Sequence, residues 1–336
     1  GSEMCIRDRL YIIDGDKEKV IFERNEKHEI TTDIRFANKE NRQRFEIYAE
    51  DVVAEKSFLS EITSHKLSEI DEFLPFFDVK NWLDSLIIIF PQTRFNDFRQ
   101  FMMNDTLESM GKLLNYFDTG IDSLNGKEQS MDETFSFLPE EVRDEIKGDV
   151  LEAFDKDEDS NQVTSVEITI AGRRFSFSKN PSGDITAAQL KMNHGNSNDL
   201  FELKDESDGT RRLFDLLPLY KKANQNFIIL IDELDRSFHT KLTIEFIQKF
   251  FEKTVGAKTQ LIATVHDSNV MNLNLLRQDE IWFVERKENH SSEIYSLNKF
   301  QERFDRTVAK DYLLGRYGAV PNFGIDPWEY EGEQNG

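Results

Sequence analysis

Two adjacent carboxylates, Asp232 and Glu233, directly follow the run Phe227-Ile228-Ile229-Leu230-Ile231. An apolar, mostly β-branched run without alternation marks a strand buried on both faces, the parallel-sheet type. Carboxylates at the C-terminal tip of such a strand sit where open α/β sheets bind their ligands. An apolar strand leading to Asp-Glu is a Walker B pattern. Asp232 is then the candidate metal residue, serving Mg²⁺ directly or through water, and Glu233 the carboxylate that polarises an attacking water. An ordinary strand-end turn is the competing reading. A second apolar run, Gln260 to Val265, ends in His266-Asp267, 34 positions after Asp232. An imidazole at the tip of a neighbouring strand can reach a terminal phosphate as a switch, which makes His266 the second catalytic candidate.

Upstream, Glu206-Ser207-Asp208-Gly209-Thr210-Arg211-Arg212 precedes the apolar-periodic stretch Leu213 to Leu217. Ser followed by Gly at a helix start offers a hydroxyl and backbone N–H groups to an anion, helped by the helix dipole. A plain Ser N-cap is the alternative. Ser207 lies 25 positions before Asp232, the order expected of a signature helix leading into a Walker B strand.

Positioning these tips requires strands that alternate with helices. Phe227–Ile231, a helix over about Thr240–Lys253, Gln260–Val265 and Glu280–Val284 supply that alternation and imply βαβ units. Further upstream, Leu10–Ile13 and Lys19–Phe22 flank Asp14-Gly15-Asp16, a hairpin signal. From about Asp51 to Tyr116 the spacing of Phe73, Phe76 and Phe77, and of Trp82, Leu83 and Leu86, predicts helices. Another helix opens at Pro139, with Leu138, Val142, Ile146, Val150 and Phe154 down one side. Residues 128–159 carry 13 acidic and three basic side chains, so the other side faces water. Asp155, Asp157 and Asp159 do not make an EF-hand, because Ser160 and Val166 stand where Gly and a bidentate Glu are required. Val166–Ile170 and Arg174–Phe177 read as a hairpin through Ala171-Gly172. Residues 1–9, including Cys5, have no periodicity and read as a non-native leader. A hairpin as the opening element then suggests that something upstream has been cut away.

The chain has 336 residues, 38% hydrophobic and 32% charged, which fits a soluble globular protein with a real core. Its 28 phenylalanines must find burial. One cysteine excludes a disulfide framework and any zinc site built on several thiolates, and it fits a reducing cytosol. The longest apolar run, Leu86 to Phe90, stops at Pro91, far short of a membrane span. A cytoplasmic protein without membrane association is expected. The formal charge of −22 disfavours wrapping duplex nucleic acid. It leaves open whether Arg173, Arg174, Arg211 and Arg212 meet a nucleic acid or merely solvate a surface.

The ordered set Ser207 to Arg211, Ile231 to His239, Thr264 to Asp267 and Asp279 to Glu285 resembles the ABC-type ATPase heads of the prokaryotic AAA/OLD-like, SMC-related ATP-binding proteins. Tyr312 to Pro321 is similar to the tail of one branch of that group. The resemblance implies an α/β fold: a P-loop NTPase-like ABC ATPase head with a mainly parallel sheet, an antiparallel β-hairpin region and a helical insertion. It divides the chain into a leader (1–9), an antiparallel β part (10–50), a helical insertion (51–160) and an ATPase lobe (161–336). It further implies ATP and Mg²⁺ as cofactors, and a homodimer that sandwiches ATP. In that arrangement Ser207, Gly209, Thr210 and Arg211 contact nucleotide held by the opposite subunit, while Asp235, Ser237 and His239 lie in a loop coupling the two sites. One departure stands out. The required string of Gly, four residues and Gly-Lys-Ser/Thr does not occur. Gly120 to Glu128 comes nearest, with five intervening residues and no hydroxyl after Lys127. Truncation ahead of the Walker A motif is the expectation, with a fragment inactive by itself. The leading function is an ATP hydrolase whose closure is transmitted to a partner, in phage defence or DNA-related processes. The alternatives are a non-catalytic sensor subunit that binds an effector through the acidic insertion, and an ATPase paired with a separate nuclease chain.

Overall fold

A tight turn at Gly15, with φ of +61°, reverses the chain between β1 (Arg9–Asp14) and β2 (Lys17–Arg24), which pair antiparallel. The positive φ is why glycine stands there. The computed structural model describes residues 8–321 except 16, 26, 28, 54, 94–103, 156–164, 171–172, 180–184, 197 and 301–306. Cys5, Asp157, Asp159, Ser160 and the Ala171-Gly172 turn therefore lie outside the described residues. The chain divides into two units, Gly1–Ile87 and Ile88–Gly336.

In the first unit β3 (Ile30–Thr31) adds to β2, and three helices follow: α1 (Lys39–Asp51), α2 (Phe58–Thr63) and α3 (Leu74–Asp84). Asn38 caps α1 by accepting the N–H of Asn41 at 2.8 Å. The stretch 10–50, expected to be β structure, thus ends in a helix. Its buried residues are only Asn41 and Phe45, too few to show helical apolar periodicity in the sequence. The core gathers Phe22, Phe45, Phe58, Phe73 and Phe76 with Ile21 and Ile62. Phe22 meets Phe58 edge-on at 5.1 Å and stacks with Phe76 at 5.6 Å, so part of the phenylalanine load is accounted for here. Each such ring contributes about 1.5–3 kcal/mol by burial. Arg24, 1% exposed, donates to the carbonyls of Lys56 (2.8 Å) and Val53 (3.0 Å). Asp8, read in the sequence as leader, accepts the N–H of Phe58 at 2.6 Å, and Arg9 pairs with Glu23 in β1–β2. Both residues are built into this unit.

The chain passes into the second unit through β4 (Leu86–Ile89). The helical pattern read from about Asp51 to Tyr116 includes Leu86 and is interrupted here. The three consecutive isoleucines favour a strand, and α3 ends at Asp84. Then come α4 (Asn104–Tyr116), β5 (Ser123–Ser130), α5 (Met131–Thr134) and α6 (Glu140–Asp155). β6 (Ser165–Ile170), β7 (Arg173–Lys179), β8 (Ile185–Asn193) and β9 (Leu200–Glu202) complete an antiparallel sheet in the order β5-β8-β7-β6, with β9 on β8. Phe135, Val150, Phe154, Phe175 and Phe177 form its core. The span 51–160 is accordingly not purely helical, and β5 ties it to β8 over eight residue pairs. Gly126 and Lys127 lie within β5, opposite Leu190 and Gln189. An extended strand cannot form the loop that wraps phosphates, which removes the nearest Walker A look-alike.

The remaining elements are α7 (Asp208–Leu216), α8 (Leu219–Lys222), β10 (Ile228–Ile231), α9 (Thr240–Thr254) and β11 (Gln260–Ala263), then β12 (Trp282–Arg286), β13 (Ser292–Ser296) and α10 (Val308–Leu313). β10 and β11 pair in parallel, Ile228 with Gln260 through Ile231 with Ala263, and the sheet order is β11-β10-β4. The βαβ unit read from the sequence is therefore present. β12 does not continue it. It pairs antiparallel with β13 in a separate two-stranded sheet, and β5 to β9 also pair antiparallel, so the sheet structure among the described residues is not mainly parallel. Phe283, Tyr295, Leu297, Val308 and Tyr317 pack beneath that hairpin. The Tyr295 hydroxyl donates to the Tyr317 carbonyl at 2.7 Å, which folds the Tyr312–Pro321 segment onto it. No described helix is long and apolar enough to cross a membrane.

Candidate functional site

The tips of β10 and β11 are joined through Thr264, which follows β11. Its hydroxyl accepts the N–H of Glu233 at 2.8 Å and donates to Asp232 Oδ1 at 2.6 Å. The Thr264 N–H donates to the Ile231 carbonyl and its own carbonyl accepts the N–H of Leu234, both at 3.0 Å. On the other side of β10 the Asp232 N–H reaches the Ile89 carbonyl of β4 at 2.8 Å. Glu233 is held at φ +48° and Ser237 at +64°, a left-handed backbone that non-glycine residues adopt at a cost. The two strained residues bracket the turn that carries Asp235 and Arg236.

His266 Nε2 lies 3.5 Å from Glu233 Oε1, so the two catalytic candidates meet. The imidazole is 79% exposed and Glu233 35% exposed. Arg236 Nη1 stands 3.7 Å from the other oxygen, Oε2. Asp235 turns inward: its Oδ2 accepts the N–H groups of His266 (2.9 Å) and Asp267 (2.8 Å). Asp235 thereby fixes the backbone under His266 from the loop that follows Glu233. Its Oδ1 is buried with no hydrogen-bond partner among the described residues. Asp267 accepts from the Thr240 hydroxyl and from the Asn269 N–H and amide, and these bonds hold its carboxyl below the ordinary value. The neighbouring loop is thus locked at two carboxylates. His239 acts as N-cap of α9, its Nδ1 accepting the N–H of Lys241 at 3.2 Å.

The Ser207 hydroxyl accepts the N–H of Thr210 at 3.1 Å and shares a 2.9 Å bond with the Thr210 hydroxyl. The plain N-cap reading therefore describes what this side chain does here. Gly209 is pressed against the loop after Glu233: a Cβ on it would lie 2.7 Å from the Ser237 carbonyl oxygen. The start of α7 and the Asp232–Ser237 turn are thus neighbours within one chain. Arg211 pairs with Asp208 and donates to the Lys204 carbonyl at 3.3 Å.

Thr264 and Arg236 of this constellation are not singled out by the sequence, and Arg212 is weighed there only as a nucleic-acid contact or a surface residue. Thr264 is one polar residue in an apolar run, a signal visible in principle. Arg212 is only 7% exposed, and its guanidinium donates to the carbonyls of Phe90 (Nη1, 3.5 Å) and Asp232 (Nη2, 3.4 Å). Burial holds it below the ordinary arginine value, with Asp215 and Glu233 opposing. It therefore does not solvate a surface. Its acceptors are backbone atoms of distant segments, which no side-chain pattern announces. Arg236 shows itself only through its distance to Glu233. The side chains of Arg173 and Arg174 lie outside the described set.

Chemically, the arrangement offers an acidic pair, an imidazole and a helix N-terminus at one end of a parallel sheet. No group of three His, Cys, Asp or Glu side chains that could cage a metal occurs among the described residues. A single carboxylate such as Asp232 suits Mg²⁺, which is usually held by one or two carboxylates together with water and substrate phosphates. No curated protein matches the chain. Residues 6–272 match the family described as an AAA domain, AbiEii toxin-like, of type IV TA systems. Because that match spans most of the 336 residues and the sheet supports the same class, the chain belongs to this P-loop, ATPase-like AAA-domain family.

Proposed function

We propose that the chain carries the signature, Walker B and switch elements of an ATP-hydrolysing ABC-type head of the OLD/SMC-related kind, which dimerises around ATP and transmits closure to a partner in the cytoplasm. The observation that carries this reading is the 3.5 Å approach of His266 to Glu233 on adjoining strand tips. Asp232 would hold Mg²⁺, which offsets phosphate charge. Glu233 would orient and deprotonate the attacking water, and His266 would contact the terminal phosphate. Ser207, Gly209, Thr210 and Arg211 would face nucleotide bound by the second copy, with Asp235 keeping the switch loop in register. The phosphate cradle is the part of such a head for which this sequence has no matching string. Phage defence or a DNA-related process is the setting this proposal favours.

The test uses protein expressed from the complete reading frame. Glu233→Gln should lower ATP turnover by about 10²–10⁴-fold, the usual contribution of a positioned base, while an ATP-bound dimer accumulates on size exclusion. Unchanged turnover in that variant overturns the reading. The 336-residue chain by itself should show almost no turnover, and robust activity from it would refute the missing cradle. A non-catalytic sensor subunit is favoured instead if a co-encoded effector stays bound in Glu233→Gln and is lost when residues 128–159 are deleted.

A further inference from the structure

The cations around the acidic tip are not equivalent. Arg211 is engaged by Asp208, and Arg212 is buried against the Phe90 and Asp232 carbonyls. His266 is charged only when protonated. Arg236 is a permanent cation, 48% exposed, whose ion-pair partner among the described residues is Glu233. An exposed pair of this kind contributes little to stability. Its backbone is nevertheless tightly held. The Arg236 N–H donates to the Glu233 carbonyl at 3.1 Å, the Phe238 N–H to the Asp235 carbonyl at 3.0 Å, and Asp235 is tied to the His266 loop. The next residue, Ser237, abuts Gly209 at the start of α7. A long, half-exposed guanidinium thus rises from a hydrogen-bonded turn that starts at Glu233, is tied to the His266 loop and abuts the start of α7.

Glu233 in this state has His266 at one oxygen and Arg236 at the other. A phosphate group is an acceptor able to draw both of these groups away from the carboxylate. We propose that Arg236 is a further catalytic residue, an arginine that pairs with Glu233 until nucleotide enters and then contacts the terminal phosphate. The inference rests on the ATP-head reading and deepens it. In the step itself the water oxygen bonds to the γ-phosphorus, the bond from that phosphorus to the β–γ bridging oxygen breaks, and the electron pair leaves with ADP. Glu233 takes the water proton, and Arg236 adds only charge to the equatorial oxygens.

The test again uses protein from the complete reading frame. Arg236→Ala should lower kcat by about 10³-fold, at the lower end for an arginine of this type, with KM within about threefold and an unchanged melting temperature. Arg236→Lys should restore part of the rate, and free guanidinium ion should revive Arg236→Ala. Affinity for ADP with aluminium fluoride should fall with kcat, while affinity for ATP should not. A kcat of Arg236→Ala close to wild type, or a loss that guanidinium does not relieve and the fluoride analogue does not register, overturns the assignment. If Glu233→Gln is inactive in the same assay while Arg236→Ala is normal, only the role of Arg236 fails. If Glu233→Gln is also fully active, the reading of the whole site fails.

Discussion

Thr264 is the smallest group on which the acidic tip depends. Its hydroxyl serves Glu233 as acceptor and Asp232 as donor, so it fixes the backbone of one carboxylate and the side chain of the other. Thr264→Val keeps the shape and removes both bonds. It should lower stability by about 1–3 kcal/mol, read in a urea titration, with Thr264→Ser close to wild type. Asp267 supplies a pH dependence. Its carboxyl is held below the ordinary value by the Thr240 hydroxyl and Asn269, so it contributes stability that is fully present above the unfolded-state value of about 4. That contribution disappears as the pH falls through the lower, folded value. The difference in melting temperature between wild type and Asp267→Asn should therefore be constant near neutrality and shrink below about pH 4. A difference that grows in acid would show that these bonds do not favour the ionised form.

At the scale of elements, the start of α7 is held by contacts rather than by pattern alone. Gly209 is required because Ser237 leaves no room for a Cβ. Gly209→Ala should force the helix start away from the turn and cost about 1–3 kcal/mol, in the range of overpacking. A variant as stable as wild type would mean the two segments separate freely. Arg212 links α7 to the ends of β4 and β10 through the Phe90 and Asp232 carbonyls. In Arg212→Met the carbonyls lose these donors, and amide exchange should rise in peptides covering 86–91 and 229–234 while the β5–β8 region is unaffected. Equal exchange in both regions would remove Arg212 as the link.

At the scale of the molecule, each unit has its own aromatic or aliphatic core. Phe58, fully buried among Phe22, Phe45 and Phe76, is a central member in the first unit. Phe58→Ala should destabilise by about 3–5 kcal/mol, seen as an earlier denaturation midpoint. The formal charge of −22 opposes compactness by self-repulsion. Raising ionic strength from about 0.01 to 0.15 M shortens the screening length from about 30 to 8 Å, so the melting temperature should rise with added salt. A fall would place attractive pairs ahead of the net repulsion.

Read alone, the sequence determined the strands and helices whose signals are local. The Asp14-Gly15 hairpin, the strand β10, the helix α9 and the Ser207 cap each arise from neighbours a few residues apart, and each is found. β10, however, is fully buried only at Ile229 and Ile231, with Ile228 and Leu230 half-buried, and not on both faces as its unbroken apolar run implied. The sequence also named the Asp232, Glu233 and His266 set, because an apolar strand ending in polar residues declares where its tip lies. What the tertiary structure alone decided is how those tips are held: Thr264 bridging Asp232 and Glu233, Asp235 under His266, Arg212 on two backbone carbonyls, Arg236 on Glu233. It also decided that β12 pairs with β13 and not with the parallel sheet, and that Leu86–Ile89 is a strand. Pairing partners and backbone acceptors belong to segments far apart in the chain. A residue's type states what it can bond to, and only the folded arrangement determines which distant atom is there to receive it.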